Sequence, residues 1–350
     1  MDARHVILAI DSFKGCLTSA EANQAAAEGL LSCLPGACVR KISISDGGEG
    51  WLDAFHSAMG GRFVDVDVFD PLMRPIVAQY LVQGDVGVIE MARASGLALL
   101  SPEERNPLVA STYGTGQLVV DALRRGCRHI LVGLGGSSTS DCGQGMLRAL
   151  ADSQVEIPGD VRFTIATDVC NPLCGPNGAA HVFAAQKGAT ADMIHLLEAR
   201  ACQFAEESAR RLGHDRRDMP GAGAAGGLGY AFLQYLGADR RPGIDLLLDA
   251  VHFDELLGTA ALVVTGEGSA DRQTLMGKVP YGILQRARAQ HVPVALIAGR
   301  IRDRQALLDA GFSSVQSINP HDLSLEEAMR PETAKTNIRR TVRSFLSDKV

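Results

Sequence analysis

The chain has 350 residues, with 34 Lys and Arg against 40 Asp and Glu and a formal net charge of −6. At 46% apolar and 21% charged residues it has the composition of a globular protein, which excludes a disordered chain. Its mixed, mildly acidic charge excludes the pervasive basic field that binds nucleic acid. The uneven count is glycine, 38 residues, and where those glycines fall matters more than their number.

Residues 6–10 form a short apolar run that Asp11 ends. It is too brief for a signal-peptide core and has no small-residue cleavage site, so it reads as a first strand. Asp11-Ser12-Phe13-Lys14-Gly15 follows. Thr18-Ser19-Ala20-Glu21 has the form of a capping box opening a helix to about residue 31. Residues 39–45 alternate as a strand, Asp46-Gly47-Gly48-Glu49-Gly50 makes a loop, and 51–59 fits a helix ended by Gly60-Gly61. This order of strand, glycine loop and helix predicts α/β units with largely parallel strands.

Further along, 63–68 and 86–91 read as strands, with Asp70-Pro71-Leu72 as a turn and domain boundary. Residues 113–125 are helical, 129–134 a strand, and Gly135-Gly136-Ser137-Ser138-Thr139-Ser140-Asp141 a polar loop before a helix around 146–150. A strand at 163–166 carries Thr167-Asp168 at its end, 191–212 reads as one long helix, and 220–227 leads into another reaching residue 236. Strand 261–265, loop 266–274, helix 280–289 and strand 294–298 bring back the opening pattern. That return predicts two α/β domains, one discontinuous (1–72 plus 258–350) and one inserted (73–257).

No run of about eighteen apolar residues occurs, so no membrane partner is expected. Eight scattered cysteines in a chain of this size suit a reducing cytoplasm. Cys170 and Cys174 form C-x₃-C, but no second pair stands at zinc-ligand spacing, so they are expected to be small buried thiols.

In open α/β sheets ligands lie beyond the carboxyl ends of strands, where helix N-termini favour anions. Five glycine-rich loops occupy or adjoin that position and carry Asp, Glu, Lys or Ser, which together suggest a phosphate or nucleotide site. The P-loop pattern is absent, because Gly277-Lys278 is followed by Val279. Gly221-Ala222-Gly223-Ala224-Ala225-Gly226 matches G-x-G-x-x-G but does not follow a strand, so a nicotinamide oxidoreductase rests on that match alone. The protein-kinase H-R-D, G-x-S-x-G and H-E-x-x-H signatures are also missing.

Seven motifs occur in order: Asp11-Ser12-Phe13-Lys14-Gly15, Asp46-Gly47-Gly48-Glu49-Gly50, the loop from Gly133 through Asp141, Asp168-Val169-Cys170-Asn171-Pro172-Leu173, Gln186-Lys187-Gly188-Ala189-Thr190, the segment 220–227, and Thr265-Gly266-Glu267-Gly268 through Gln273-Thr274 to Gly277-Lys278. Over nearly the whole chain this resembles the bacterial glycerate kinase family, of the glycerate 2-kinase type. The resemblance implies two α/β domains, one flavodoxin-like and discontinuous, and ATP-dependent phosphorylation of D-glycerate to 2-phosphoglycerate, or to the 3-phosphate, in a cleft between domains. It also implies organic-acid metabolism in the cytoplasm, D-glycerate as small-molecule partner and Mg²⁺ with ATP; a homodimer is left open.

Three departures stand out. Ser138, Ser140 and Cys142 replace residues of the family's usual Ser-Ala-Thr-Asn-Asp-Gly-Gly, Ser269 stands where an arginine usually follows Thr-Gly-Glu-Gly, and 151–162 replaces a longer excursion. They keep open a non-catalytic or altered-specificity paralogue that binds glycerate or nucleotide.

Phosphoryl transfer needs a phosphate cradle, cations and a carboxylate near the attacking hydroxyl. The cradle is expected at Gly135, Gly136, Ser137 and Ser138, with Gly223, Gly226 and Gly227 second. Lys14 is the first cation, Lys278 the second and Lys187 a weaker one. Asp46, Glu49 and Asp141 are the Mg²⁺ candidates, and Asp168 is the expected base with Asp271 its rival. Each also has a purely structural reading, as a packed turn, an N-cap or a solvated lysine.

Overall fold

The computed structural model describes residues 5–45, 47–48, 50–320 and 322–347. The chain divides into two compact units, one of residues 1–46, 53–59 and 244–350, the other of 47–52 and 60–243.

The first unit is built on β1 (His5–Ile10) and β2 (Cys38–Lys41), which pair in parallel. The other strands of its sheet come much later in the chain. To keep the numbering in chain order, the second unit contributes β3 (Arg62–Phe69), β4 (Pro75–Gln83), β5 (Val86–Glu90), β6 (His129–Gly133), β7 (Arg162–Ala166) and β8 (Asp239–Arg241). The first unit resumes with β9 (Ala260–Ala270), β10 (Val294–Ile301) and β11 (Ser314–Ser317). Its five strands are all parallel and lie in the order β11-β10-β9-β1-β2. Counted within the unit this is 2-1-3-4-5, the flavodoxin-like doubly wound order. The six-stranded sheet runs β3-β4-β5-β6-β7-β8, antiparallel at β3, β4 and β5 and parallel beyond.

The helix Ser19–Cys33 covers β1, and its start is the capping box expected from sequence: Thr18 Oγ1 accepts from Glu21 N, and the Glu21 carboxylate accepts from Thr18 N. Its buried face is small, with Ala22, Ala25, Ala26 and Gly29, so the helix Pro331–Ser347 packs close: a Cβ on Gly29 would meet the Arg339 carbonyl at 2.5 Å. Two buried polar side chains of this helix fix the end of β1. Asn23 accepts from Ile10 N at 3.1 Å and donates to Ile42 O at 3.0 Å, while Ser19 Oγ donates to Ile10 O at 2.6 Å and accepts from Ile44 N at 2.9 Å.

Several elements differ from expectation for identifiable reasons. Asp70-Pro71-Leu72 turns a β-hairpin, with Asp70 accepting from Leu72 N and Arg74 N. Because β3 pairs along its length with β4, residues 62–69 belong to the second unit. The expected loop at 266–274 is strand as far as Ala270, since β10 pairs with β9 through Arg300↔Ser269 and Ile301↔Ala270. The helix reaching Leu236 becomes regular only at Leu228, because Ala225, Gly226 and Gly227 are left-handed. The helix Ala191–Leu212 has the expected bounds. No helix among the described residues is long and apolar enough to cross a membrane.

Asn23→Ala would leave the buried Ile10 amide and Ile42 carbonyl without this side chain as partner. It is expected to lower unfolding free energy by about 2 kcal/mol in urea titrations, whereas Gln24→Ala, at an exposed position of the same helix, should change it little.

Candidate functional site

β1 has β2 on one side and β9 on the other, and the chain leaves the two sides in opposite senses, so the carboxyl ends of β1 and β9 part at a topological switch point. The loop after β1 is tight: Asp11 N donates to Gly266 O, Phe13 N to Leu17 O and Cys16 N to Phe13 O, which buries the Phe13 ring and leaves Lys14 exposed. Facing it, β9 carries Glu267-Gly268-Ser269 just before its last residue, Ala270. Between them lies a cavity of about 390 Å³. Asp11, Lys14, Glu267, Lys278 and Arg300 supply its charges, and Phe13, Ile318, Leu325 and Met329 give it an apolar wall.

Glu267 is the pivot of the charged side. It is buried and accepts from Thr274 Oγ1 at 2.6 Å and from Lys278 Nζ at 3.3 Å. Burial pushes its carboxyl up, and the bond from Thr274 and the ammonium of Lys278 pull it back. The intervening sequence is built to deliver those two groups. Asp271 caps the short helix Arg272–Met276 by accepting from Gln273 N, and Thr274 Oγ1 accepts from Asp271 N. Gly277, with φ of 103°, then turns the chain so that Lys278 starts the helix Val279–Ala289. Asp271 is thus engaged as a cap.

The other expected residues lie in the second unit. Gly135 N donates to Gly47 O and Ser138 N to Ser95 O, so two of the four amides of the expected cradle are committed within the protein. A Cβ on Gly135 would meet the Gly48 Cα at 2.5 Å, and one on Gly226, at φ 64°, would meet the Thr139 carbonyl at 2.0 Å. These glycines let loops touch one another. Gly136 is exposed, Gly223 N donates to Asn171 O, and Gly227 packs on Leu173 and Cys142. Segment 220–227 is therefore a wall against the loops that follow β6 and β7.

Lys187, expected as a weak candidate, is buried under that loop. Its Nζ donates to Ser137 Oγ at 2.8 Å and to Thr139 O at 2.6 Å. Burial drives its pKa from 10.5 down to about 7, against the pull of Asp141. Asp141 accepts from Thr112 N and Oγ1, Gly143 N and Gly145 N, and burial still raises its carboxyl. It thereby ties the β6 loop to two helix starts. Asp168 is half-buried two residues beyond β7. Asp46 and Glu49 lie outside the described residues. Cys170 is exposed rather than buried, and Cys174 approaches Cys202 and Glu198 on the long helix, with their ligand atoms within 4.8 Å of one another.

Three cavity residues received no role from the sequence alone. Asp11 directly ends β1, the same signal that marked Lys14, and Glu267 lies inside a quoted motif. Arg300 had no local signal, because its place depends on β10 pairing beyond its apolar part. For Mg²⁺, which takes hard oxygen ligands, the cavity offers the carboxylates of Asp11 and Glu267. Both are also engaged within the protein, Glu267 with Thr274 and Lys278 and Asp11 with Ser12 N at 2.7 Å.

A cationic cavity at the switch point of a doubly wound sheet, beside a Thr-Gly-Glu-Gly strand end and a following Gly-Lys, defines an α/β phosphotransferase. The family model described as the glycerate kinase family matches residues 6–157 and 151–348, and the chain belongs to that family. It is 41% identical to a glycerate kinase of Bacillus subtilis strain 168, covering 97% of this chain and 96% of that one. It is 37% identical to a glycerate 2-kinase of Escherichia coli K12, covering 93% of each. A solved structure from Salmonella typhimurium LT2, assigned to glycerate kinase 2, superposes with a TM-score of 0.84 at 37% identity over 99% of this chain and 98% of that one.

Since the unfolded chain binds a proton at Lys187 up to pH 10.5 and the folded chain only to about 7, this residue makes stability rise with pH across that window. The difference in unfolding free energy between wild type and Lys187→Met should therefore grow in favour of wild type as pH rises from 7 to 10.5. Parallel pH profiles of the two proteins would refute this.

Proposed function

We propose that the protein transfers the γ-phosphoryl group of ATP to D-glycerate, with Mg²⁺, giving 2-phosphoglycerate and ADP. The observation that carries the reading is the convergence of the loop after β1 with the β9 end and Lys278 on one cavity within the first unit. The close relatives that bear glycerate kinase names support the choice of acceptor.

In this reading the C2 hydroxyl oxygen of glycerate attacks the γ-phosphorus, the bond to the β–γ bridging oxygen breaks, and the hydroxyl proton passes to a carboxylate base, the part expected of Asp168 from the sequence. Lys14 and Lys278 act as point charges on the phosphates. Glu267 holds the Lys278 ammonium in place. Asp11 would hold Mg²⁺, which supplies charge neutralisation on the phosphates. The apolar wall of Ile318, Leu325 and Met329 suits the nucleoside and keeps water away from the charged side. The sequence-based cradle at Gly135 to Ser138 is given a different part, that of a rigid support braced by Lys187.

Purified protein with ATP, Mg²⁺ and D-glycerate should yield 2-phosphoglycerate, resolved from the 3-phosphate by phosphorus NMR. Absence of any phosphoglycerate at high enzyme concentration would overturn the reading. Lys14→Ala and Asp168→Asn should each lower kcat by about a hundredfold or more while leaving the thermal midpoint close to wild type.

A further inference from the structure

The cavity brings three cations, Lys14, Lys278 and Arg300, together with two carboxylates, Asp11 and Glu267. Lys278 is paired with Glu267 at 3.3 Å. Lys14 and Arg300 also line the cavity, and neither forms an ion pair with a described carboxylate. A cavity in which cations outnumber carboxylates favours a bound anion.

Arg300 is the better placed of the two for a defined contact, because its backbone is fixed on three sides. It pairs with Ser269 in the β9–β10 ladder, and Ile301 continues that pairing with Ala270. The preceding carbonyl, Gly299 O, accepts from Asn319 Nδ2 at 3.0 Å, and Asn319 is in turn held by Asn337 at 3.0 Å. The neighbour across the ladder, Ser269, is small and lines the same cavity, so the arginine side chain has room beside it. A guanidinium presents a planar fork that matches a carboxylate in two parallel bonds, whereas an ammonium acts as a point charge suited to phosphate. Lysines and an arginine around one cavity therefore divide the labour.

Resting on the glycerate kinase reading, we propose that Arg300 binds the carboxylate of the hydroxy-acid substrate and sets the preference for an acid over a neutral acceptor. Arg300 takes no part in proton or phosphoryl movement; it orients the acid so that its neighbouring hydroxyl faces the nucleotide.

The test is steady-state kinetics with each substrate varied in turn. Arg300→Ala should raise KM for D-glycerate about a hundredfold and leave KM for ATP within about twofold. Arg300→Lys should recover only part of the loss, because it keeps the charge without the fork. The ratio of kcat/KM for D-glycerate over D-glyceramide should collapse in Arg300→Ala. Adding Ser269→Arg to that variant should restore it in good part, since the two positions are ladder partners on one cavity. A rise in KM for ATP with none for glycerate, or an unchanged acid-to-amide ratio, would overturn the proposal. If the wild-type protein makes no phosphoglycerate, the kinase reading itself fails. Calorimetric titration of D-glycerate into wild type and Arg300→Ala still decides the role of Arg300 in that case, with equal affinities overturning it.

Discussion

The fold depends on one constraint, the completion of β1 by a strand far away in the chain. On its early side β1 is closed by β2, which follows after a single helix. On the other side it waits for β9: Thr265 Oγ1 donates to Ala9 O across 256 residues, and Asp11 N donates to Gly266 O. Until β9 arrives, one edge of the most buried strand of the sheet has no partner, which is costly for backbone groups hidden from water. Asn23 and Ser19 reduce that exposure by binding the last residue of β1 from the covering helix. The same joint creates the cavity, because the loops after β1 and β9 can face each other only where the strand order reverses.

Local chemistry was legible in the sequence and distant pairing was not. The capping box at Thr18 and Glu21 needs only residues within one turn, and it is present as expected. The long helix Ala191–Leu212 announced itself through its own periodicity. By contrast, β9 continues through a glycine-rich stretch whose composition reads as a loop, since the force that extends it is hydrogen bonding to β10. The hairpin partner β4 begins with a proline and follows a turn, so the turn was read as a boundary. Of the candidate site, Lys14 and Lys278 could be found because each follows a strand or glycine signal, and the structure places both on one cavity. Arg300 could not, because it carries no such signal of its own.

The glycine loops show why composition alone overstates function. Gly135 and Gly226 are required for a reason that has nothing to do with a ligand: neighbouring backbone occupies the space of a Cβ. A tightly packed loop can still serve a site by being rigid, and here the rigidity has a specific source. Lys187, buried and bonded to Ser137 and Thr139, holds the β6 loop from beneath at the cost of a lowered affinity for its own proton. An uncharged amine can make both bonds, so the brace does not need the charge that burial opposes.

The net charge of −6 poses a last question, how an acidic protein holds anionic ligands. Long-range attraction cannot do it, since the mean field opposes approach and is screened within about a nanometre in physiological salt. Short-range arrangement can. At the cavity, burial and a single carboxylate fix one lysine, while a second lysine and an arginine have no carboxylate ion-pair partner among the described residues and stand beside an apolar wall that lowers the local dielectric. An anion entering there exchanges water for fixed donors whose positions the strand ladder has already set. Recognition then depends on the geometry of a few cations at a strand end, and the sign of the whole molecule matters little.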